Sequence, residues 1–370
     1  MPHQPAHPVE FIGFVGDQLQ SETVPAQGAP LDPDHVVAAA QAHEAVGFDR
    51  VLVAHSSSGP DAVLIAAHAA QHTRRLAYMI AHRPGFIAPT YAARLFASFD
   101  VLTGGRAAIH VITGGSDAEQ RRDGDFLDKA ARYRRTDEWL EVLRRCWTSD
   151  APFDFTGEHF RVEQAQARIA PVQRPHPPIY FGGASDEAIA VAGRHADVYA
   201  FWGEPLEQAR ELIARVRAAA SNARRDPAAL RFSLSLRPVL AGTEEAAWRR
   251  AAEILERIRV LRAGTVGKGN AKPQSEGSRR LLDAARDGRV RDARLWTEVA
   301  AAVGAGANTT GLVGTPEQVA DAMLDYHAIG VSTFLIRGFD PVADAISYGS
   351  QLIPLVRARL AGTGLAAAAE

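Results

Sequence analysis

The sequence predicts a (β/α)8 TIM barrel. Eight short apolar segments alternate with longer helical ones along 370 residues, and none is set apart by a linker. The content of hydrophobic residues, 46%, is enough to bury a large core. A doubly wound open sheet is the competing architecture. It usually needs fewer strands and a glycine fingerprint after the first one, and Gly16-Asp-Gln-Leu19 supplies none.

The elements follow in order. Val9 to Val15 reads as the first strand, and Asp32 to Val46 as a helix with apolar residues at helical spacing, ended by Gly47. Asp49 to Ala54 is the second strand, with a helix from Pro60 to Gln71. Arg75 to His82 is the third, with a helix from Ala88 to Leu102. Gly105 to Thr113 is the fourth; the polar stretch Gly114 to Arg132 follows it, then a helix from Tyr133 to Trp147. Ile179 to Gly182, Asp197 to Trp202, Arg231 to Leu240 and Thr333 to Arg337 are the fifth to eighth. Residues 1–370 are expected to form a single barrel domain. The segment 262–294, rich in Gly, Lys, Arg, Ser and Pro, is too polar for core and reads as a mobile lid inserted between strands seven and eight.

The formal net charge of −2 gives no sign of a nucleic-acid partner. No run of about 20 apolar residues suggests a membrane span, and Met1 to Glu10 has no signal-like apolar core, so the expectation is a cytoplasmic protein. The single cysteine, Cys146, reads as a buried structural thiol. No His/Asp/Glu set has metal-ligand spacing. His159 reads as part of a hairpin turn, and Trp139, Trp147 and Trp296 as helix-borne core anchors.

The most informative stretch is Pro175-His-Pro-Pro-Ile-Tyr-Phe-Gly-Gly-Ala-Ser185. Prolines fix the approach to a short strand, and Gly182 and Gly183 free the backbone amides of obstruction. Ser185 stands at the N-cap of a following helix, Asp186 to His195. Free amides and a hydroxyl at a helix N-terminus make an anion cradle, typically for phosphate. The same pattern also serves as an ordinary βα turn. His55 and His82 end predicted strands on the catalytic face, where each is a candidate acid, base or hydrogen-bond donor or, equally, a structural ring.

Several stretches together resemble the bacterial-luciferase-like flavin monooxygenases. They are Arg83-Pro-Gly-Phe-Ile-Ala-Pro-Thr-Tyr-Ala-Ala-Arg94, Gly104-Gly-Arg106, Ile112-Thr-Gly-Gly-Ser-Asp117, Gly124-Asp-Phe-Leu-Asp128 with Arg132-Tyr133, the Pro175 to Ser185 turn, and Trp202-Gly-Glu-Pro205. The resemblance spans Phe11 to about Leu360 and is nearest to the two-component alkanesulfonate monooxygenase group. It implies a TIM barrel that takes reduced FMN (FMNH2) from a separate NAD(P)H-dependent FMN reductase. The reduced flavin reacts with O2 to form a flavin peroxide, which oxygenates a small-molecule substrate; an alkanesulfonate would yield sulfite and an aldehyde. It also implies a homodimer or homotetramer. The family's phosphate contacts map onto Tyr133 and Gly182-Gly183-Ala184-Ser185. Its isoalloxazine pocket maps near His82, Thr113, Gly114 and Trp202. A peroxyflavin must be kept from water, which a lidded barrel mouth suits.

The sequence departs from the sulfonate pattern on the substrate side. Gly59 stands where that group has a cysteine. Ser235 and Arg237 stand in place of an arginine and a histidine on the seventh strand, and Phe339 replaces a tyrosine after the last strand. Arg237 and Arg337 are the cations available to grip a sulfonate, since a guanidinium offers two parallel N–H donors to a tetrahedral oxyanion. The catalytic candidates are therefore His55, Arg237 and Arg337, and the substrate is expected to be an alkanesulfonate or a related organosulfur compound. The competing readings are hydride transfer with a flavin or the deazaflavin F420, and a non-catalytic barrel that binds reduced flavin.

Overall fold

The computed structural model describes residues 9–263 and 273–367, with side chains to residue 362. The order is β1 (Glu10–Val15), α1 (Pro33–Ala45), β2 (Arg50–Val53), α2 (Ala62–Ala70), β3 (Ala77–His82), α3 (Pro89–Thr103), β4 (Ala107–Val111), α4 (Asp117–Gln120) and α5 (Lys129–Thr148). Next come β5 (Phe153–Thr156), β6 (Arg161–Ala165), β7 (Ile179–Gly182), α6 (Asp186–His195), β8 (Val198–Trp202), α7 (Leu206–Asn222), β9 (Arg231–Leu236), β10 (Val239–Leu240) and α8 (Glu244–Arg262). The remainder is α9 (Glu276–Arg286), β11 (Val290–Arg291), β12 (Leu295–Trp296), α10 (Glu298–Val303), β13 (Gly311–Gly314), α11 (Pro316–Ala328), β14 (Thr333–Ile336), α12 (Pro341–Ser347) and α13 (Ile353–Ala367).

Eight parallel strands close in the order β1-β14-β9-β8-β7-β4-β3-β2, which is the predicted (β/α)8 barrel. Parallel barrel strands are covered on both faces, so each reads as a short apolar burst. Alternate residues divide the two faces. Ile12, Met79, Ala108, Tyr180, Val198 and Leu335 meet in one cluster inside the barrel. Phe11, Tyr78, Ile109 and Phe334 belong to the larger cluster beneath the helices. Helix starts carry their own signals: Asp32 and Asp61 cap α1 and α2 by accepting from the second and third amides of each helix.

The structure corrects the reading in two places, the seventh strand and Trp296. The stretch Arg231 to Leu240 is two strands, because the chain leaves the barrel at Leu236 and β10 joins a side sheet in the order β10-β13-β12-β11. Trp296 lies in β12 of that sheet rather than in a helix. Within 262–294, part of the expected lid lies outside the described residues. Residues 276–286, by contrast, form helix α9, which buries Ser278, Leu281 and Ala284. Its polarity is that of an amphipathic helix with one apolar stripe. Gln274 is bonded to Asp117 in both directions, at 2.8 and 3.0 Å. Arg280 is ion-paired to the buried Glu204 at 2.7 Å. Cys146 is buried on α5 as expected, and His159 sits in the β5–β6 turn. Among the described residues no helix is long and apolar enough to cross a membrane, and no group of three His, Cys, Asp or Glu side chains could hold a metal ion.

Candidate functional site

At the C-terminal end of the barrel two polar regions face each other across the mouth. One follows β7. Gly183 has φ +134°, and a Cβ there would stand 2.8 Å from the Ala188 Cβ and 3.2 Å from the Tyr133 hydroxyl. Only glycine leaves this turn open. Ser185 caps α6 by accepting from the Ala188 amide at 3.4 Å. The Tyr199 hydroxyl donates to the Gly183 carbonyl at 2.6 Å and pins the turn from behind. Gly182 passes so close to β8 that a Cβ would meet the Ala200 carbonyl oxygen at 2.5 Å. The Tyr133 hydroxyl therefore lies beside Gly183 and hydrogen-bonds the Ser185 side chain, with burial raising its pKa. The geometry suits a phosphate: one phenol, one hydroxyl and a helix N-terminus. The acids of the same turn are already engaged, Asp186 by Arg215 at 2.8 Å and Glu187 by its own amide and Ser185.

The other region is a cavity of about 890 Å³ over the ends of β1, β2 and β14. Its walls include Phe14, Asp17, Glu22, His55, Gly59, Arg262 and Arg337. His55 thus lies where the sequence placed it. Its Nε2 is buried with no partner, and its pKa is lowered by burial and then by the Arg83 charge. Arg83 is itself held by Ser57 at 2.7 Å and Glu119 at 2.8 Å. The place of the absent cysteine, Gly59, also lines this cavity.

Arg337 lines the cavity over the Phe14 ring, 4.5 Å from its centroid, and its Nε is buried without a partner. Arg237 does not line it. Its guanidinium is fully buried, stacks on Phe339 at 3.7 Å, and donates to the Gly338 carbonyl at 2.7 Å. Direct contact between Arg237 and a ligand is therefore corrected: Phe339 and the Gly338 carbonyl occupy the approach. Both arginines share one carboxylate that the sequence reading missed. Glu22 Oε2 lies 2.7 Å from Arg237 Nη1 and 4.0 Å from Arg337 Nη2. The 2.7 Å contact is a close ion pair rather than an aligned hydrogen bond. Burial raises the Glu22 pKa, but the Arg237 and Arg337 charges outweigh it and hold the carboxyl below its usual value. Its neighbours Ser21 and Thr23 both donate to the Phe339 carbonyl, at 2.5 and 2.7 Å, which fixes Glu22 from either side.

The expected ring-binding residues stand at or just past the ends of β3, β4 and β8. Thr113 Oγ1 donates to Thr136 Oγ1 at 3.3 Å. Gly114 has φ +102° and lies against the fully buried Gln120 carboxamide, whose two polar atoms have no partner. Trp202 is covered by the insertion, since a Cβ on Gly277 would touch its ring at 3.3 Å. His82 departs from expectation. It alternates with the lumen residues of β3, so its ring packs outward, stacked on Trp139 at 5.2 Å and edge-on to Phe96 at 5.6 Å. Burial lowers its pKa to about 4. It is a neutral ring at the helix–sheet layer with one free nitrogen, Nε2.

A closed barrel whose open end carries an anion cradle opposite a half-enclosed cavity is the frame of a cofactor-using enzyme that gathers its chemistry on one face. The chain belongs to the luciferase-like monooxygenase family, whose sequence pattern it matches over residues 9–333. Its fold is similar to that of riboflavin lyase RcaE, solved with modified FMN and riboflavin. The identity is 20%, covering 95% of this chain and 92% of that one, with a TM-score of 0.78. It is similar to the EDTA monooxygenase EmoA from Chelativorans sp. BNC1 at 20% identity, with 95% and 94% covered and a TM-score of 0.75. It also resembles an F420-dependent secondary alcohol dehydrogenase, solved with an F420–acetone adduct, at 19% identity, 94% and 99% covered, and a TM-score of 0.67.

Proposed function

We propose that this protein is an FMNH2- and O2-dependent monooxygenase, fed by a separate NAD(P)H-dependent reductase, that acts on an alkanesulfonate or related small organosulfur compound. The observation that carries the reading is the open glycine turn at the N-terminus of α6 with Tyr133 above it, directly across from a cavity walled by His55 and Arg337. When bound, reduced FMN supplies the electrons that activate O2. The chain's own residues do the rest. The amides after Gly182, the Ser185 hydroxyl and Tyr133 hold the phosphate. Thr113, Gly114 and Trp202 border the ring, with His82 wedged behind against Trp139. His55, kept neutral by burial and by Arg83, presents an uncharged imidazole to the cavity and can accept or donate one proton at Nε2. Arg337 receives the anionic head of the substrate, and Arg237 acts through Glu22 rather than by contact. Helix α9, clamped through Gln274–Asp117 and Arg280–Glu204, covers Trp202 and keeps water from that side.

The test is turnover with a flavin reductase, NAD(P)H and FMN over a panel of alkanesulfonates, following sulfite release and O2 uptake together. The expected result is one sulfite per O2 for at least one member. Product formation under argon would overturn the oxygenase reading in favour of hydride transfer.

A further inference from the structure

We propose that the Glu22–Arg237–Arg337 cluster is a charge-reading subsite that admits a head group carrying one negative charge and rejects one carrying two. The inference rests on the reading of Arg337 as the substrate-head contact and adds to it a determinant, Glu22, and a selection rule.

The argument is a charge count within a rigid frame. The charged groups bearing on Arg337 are Arg237 and Glu22, and those bearing on Glu22 are the same two arginines. Among the described residues of this cluster, two guanidiniums and one carboxylate leave a net charge of +1. At the rim Asp17 and Arg262 add one charge of each sign, and His55 is neutral. The uncompensated charge has a definite place. Arg237 is fully enclosed, hydrogen-bonded to the Gly338 carbonyl and ion-paired to Glu22, and no ligand in the cavity reaches it, whereas Arg337 lies on the cavity wall with its Nε buried and unpartnered. A guanidinium at a half-enclosed wall is costly unless an anion meets it.

Glu22 is not a placeholder that swings aside. Its flanking hydroxyls, Ser21 and Thr23, are both bonded to the Phe339 carbonyl, and Arg257 Nε holds the Thr23 carbonyl at 2.7 Å. A fixed carboxylate 4.0 Å from Arg337 attracts nothing itself. It cancels one of two positive charges and repels a second negative charge on any ligand that reaches Arg337. Specificity here comes from a built-in repulsion as well as from attraction. A sulfonate, sulfate ester or carboxylate satisfies the site, and a doubly ionised phosphate monoester does not.

The experiment compares hexane-1-sulfonate, hexyl sulfate, hexyl phosphate and hexan-1-ol as equilibrium ligands of the full-length protein saturated with FMN. It is run at about pH 8, where a phosphate monoester with its second pKa of about 6 carries two charges. Wild-type protein is expected to bind hexyl sulfate and hexane-1-sulfonate at least about tenfold more tightly than hexyl phosphate. Glu22→Gln should erase or reverse that preference by tightening hexyl phosphate. Arg337→Gln should weaken both monoanions by at least about tenfold and leave hexan-1-ol unchanged. A measurement without mutation guards against misfolded variants: at about pH 5 hexyl phosphate is a monoanion and should bind wild-type protein as hexyl sulfate does. Anion binding with the same sulfate-to-phosphate ratio in wild type and Glu22→Gln, or no gain for hexyl phosphate at low pH, overturns the charge-reading inference while the sulfonate reading stands. Equal affinity for hexan-1-ol and the anions overturns the anion subsite itself.

Discussion

At the N-terminal end of the barrel Glu10 sits between Arg50 and Arg231, and at the C-terminal end Glu22 sits between Arg237 and Arg337. The composition is the same, and the settings are not. Glu10 accepts from Arg50 Nε at 2.9 Å and from the Tyr180 hydroxyl at 2.9 Å, with Thr333 and Arg231 completing the shell at 3.5 and 3.8 Å. Its partners come from β2, β7, β9 and β14, so the cluster plugs the barrel floor. Glu22 comes from the loop after β1, and one of its two arginines borders a cavity. Both clusters hold one positive charge in excess; at the floor Arg50 also feels Asp49, whereas at the mouth Arg337 borders the cavity. This matches the general division of such barrels, with stability at the N-terminal face and chemistry at the other.

The comparison can be broken most sharply by removing each carboxylate. Glu10→Gln takes from the buried Arg50 its hydrogen-bonded carboxylate, leaving only the charge of Asp49, and should cost about 3 kcal/mol. Glu22→Gln also strips the anion from a buried guanidinium, Arg237, but beside a cavity that admits solvent and ions, so it should cost less than Glu10→Gln. Urea unfolding of both variants checks this, and equal losses would abolish the distinction. Next in size, Ser185→Asp places like charge in the cradle and should weaken FMN binding by at least about tenfold. Arg337→Gln should leave FMN affinity unchanged. Fluorescence titration with FMN separates the two, and unchanged affinity in Ser185→Asp would remove that residue from the cradle.

Acid provides a third lever. His82 is held neutral in the folded state with its pKa lowered to about 4 from 6.5. The unfolded chain therefore binds the extra proton first. The stability this ring contributes is present above about pH 6.5 and is lost as pH falls toward 4, at up to about 1.4 kcal/mol per pH unit. Glu10 and Glu22 have lowered pKa values, so the stability they contribute is present above the ordinary carboxylate range and disappears only at lower pH, as each carboxyl protonates in the folded state. In unfolding curves from pH 8 to 3, His82→Phe should flatten the upper arm alone. An unchanged slope between pH 6.5 and 4 would assign that loss elsewhere. The smallest effect is expected from Ser185→Ala, which removes an N-cap worth about 1 kcal/mol, read as a lower thermal midpoint.

Much of the fold was legible because every barrel strand is an apolar burst of four to six residues between helices that bury one face. The side sheet was not. Val239–Leu240 and Leu295–Trp296 are two residues long, too short for any periodicity, and Pro238 gave the only warning that the strand beginning at Arg231 does not continue. In the site, the N-cap at Ser185 and the open turn at Gly183 follow from local chemistry, and their geometry is as the sequence reads. Glu22 had no such signal. It lies in an irregular loop, and its partners are more than 200 residues away, at positions the barrel alone brings together. The outward turn of His82 is set by strand parity, which one residue's uncertainty in register is enough to invert.

The bonds from Ser21 and Thr23 to the Phe339 carbonyl join residues more than 300 positions apart, across the line where β1 meets β14. That line is the seam at which the sheet becomes a cylinder, and the Glu22 cluster is stitched along it. The wall of the cavity therefore does not exist until the last strand has docked on the first. Any ligand held there is selective for the fully closed chain and raises the cost of opening that seam in proportion to its occupancy.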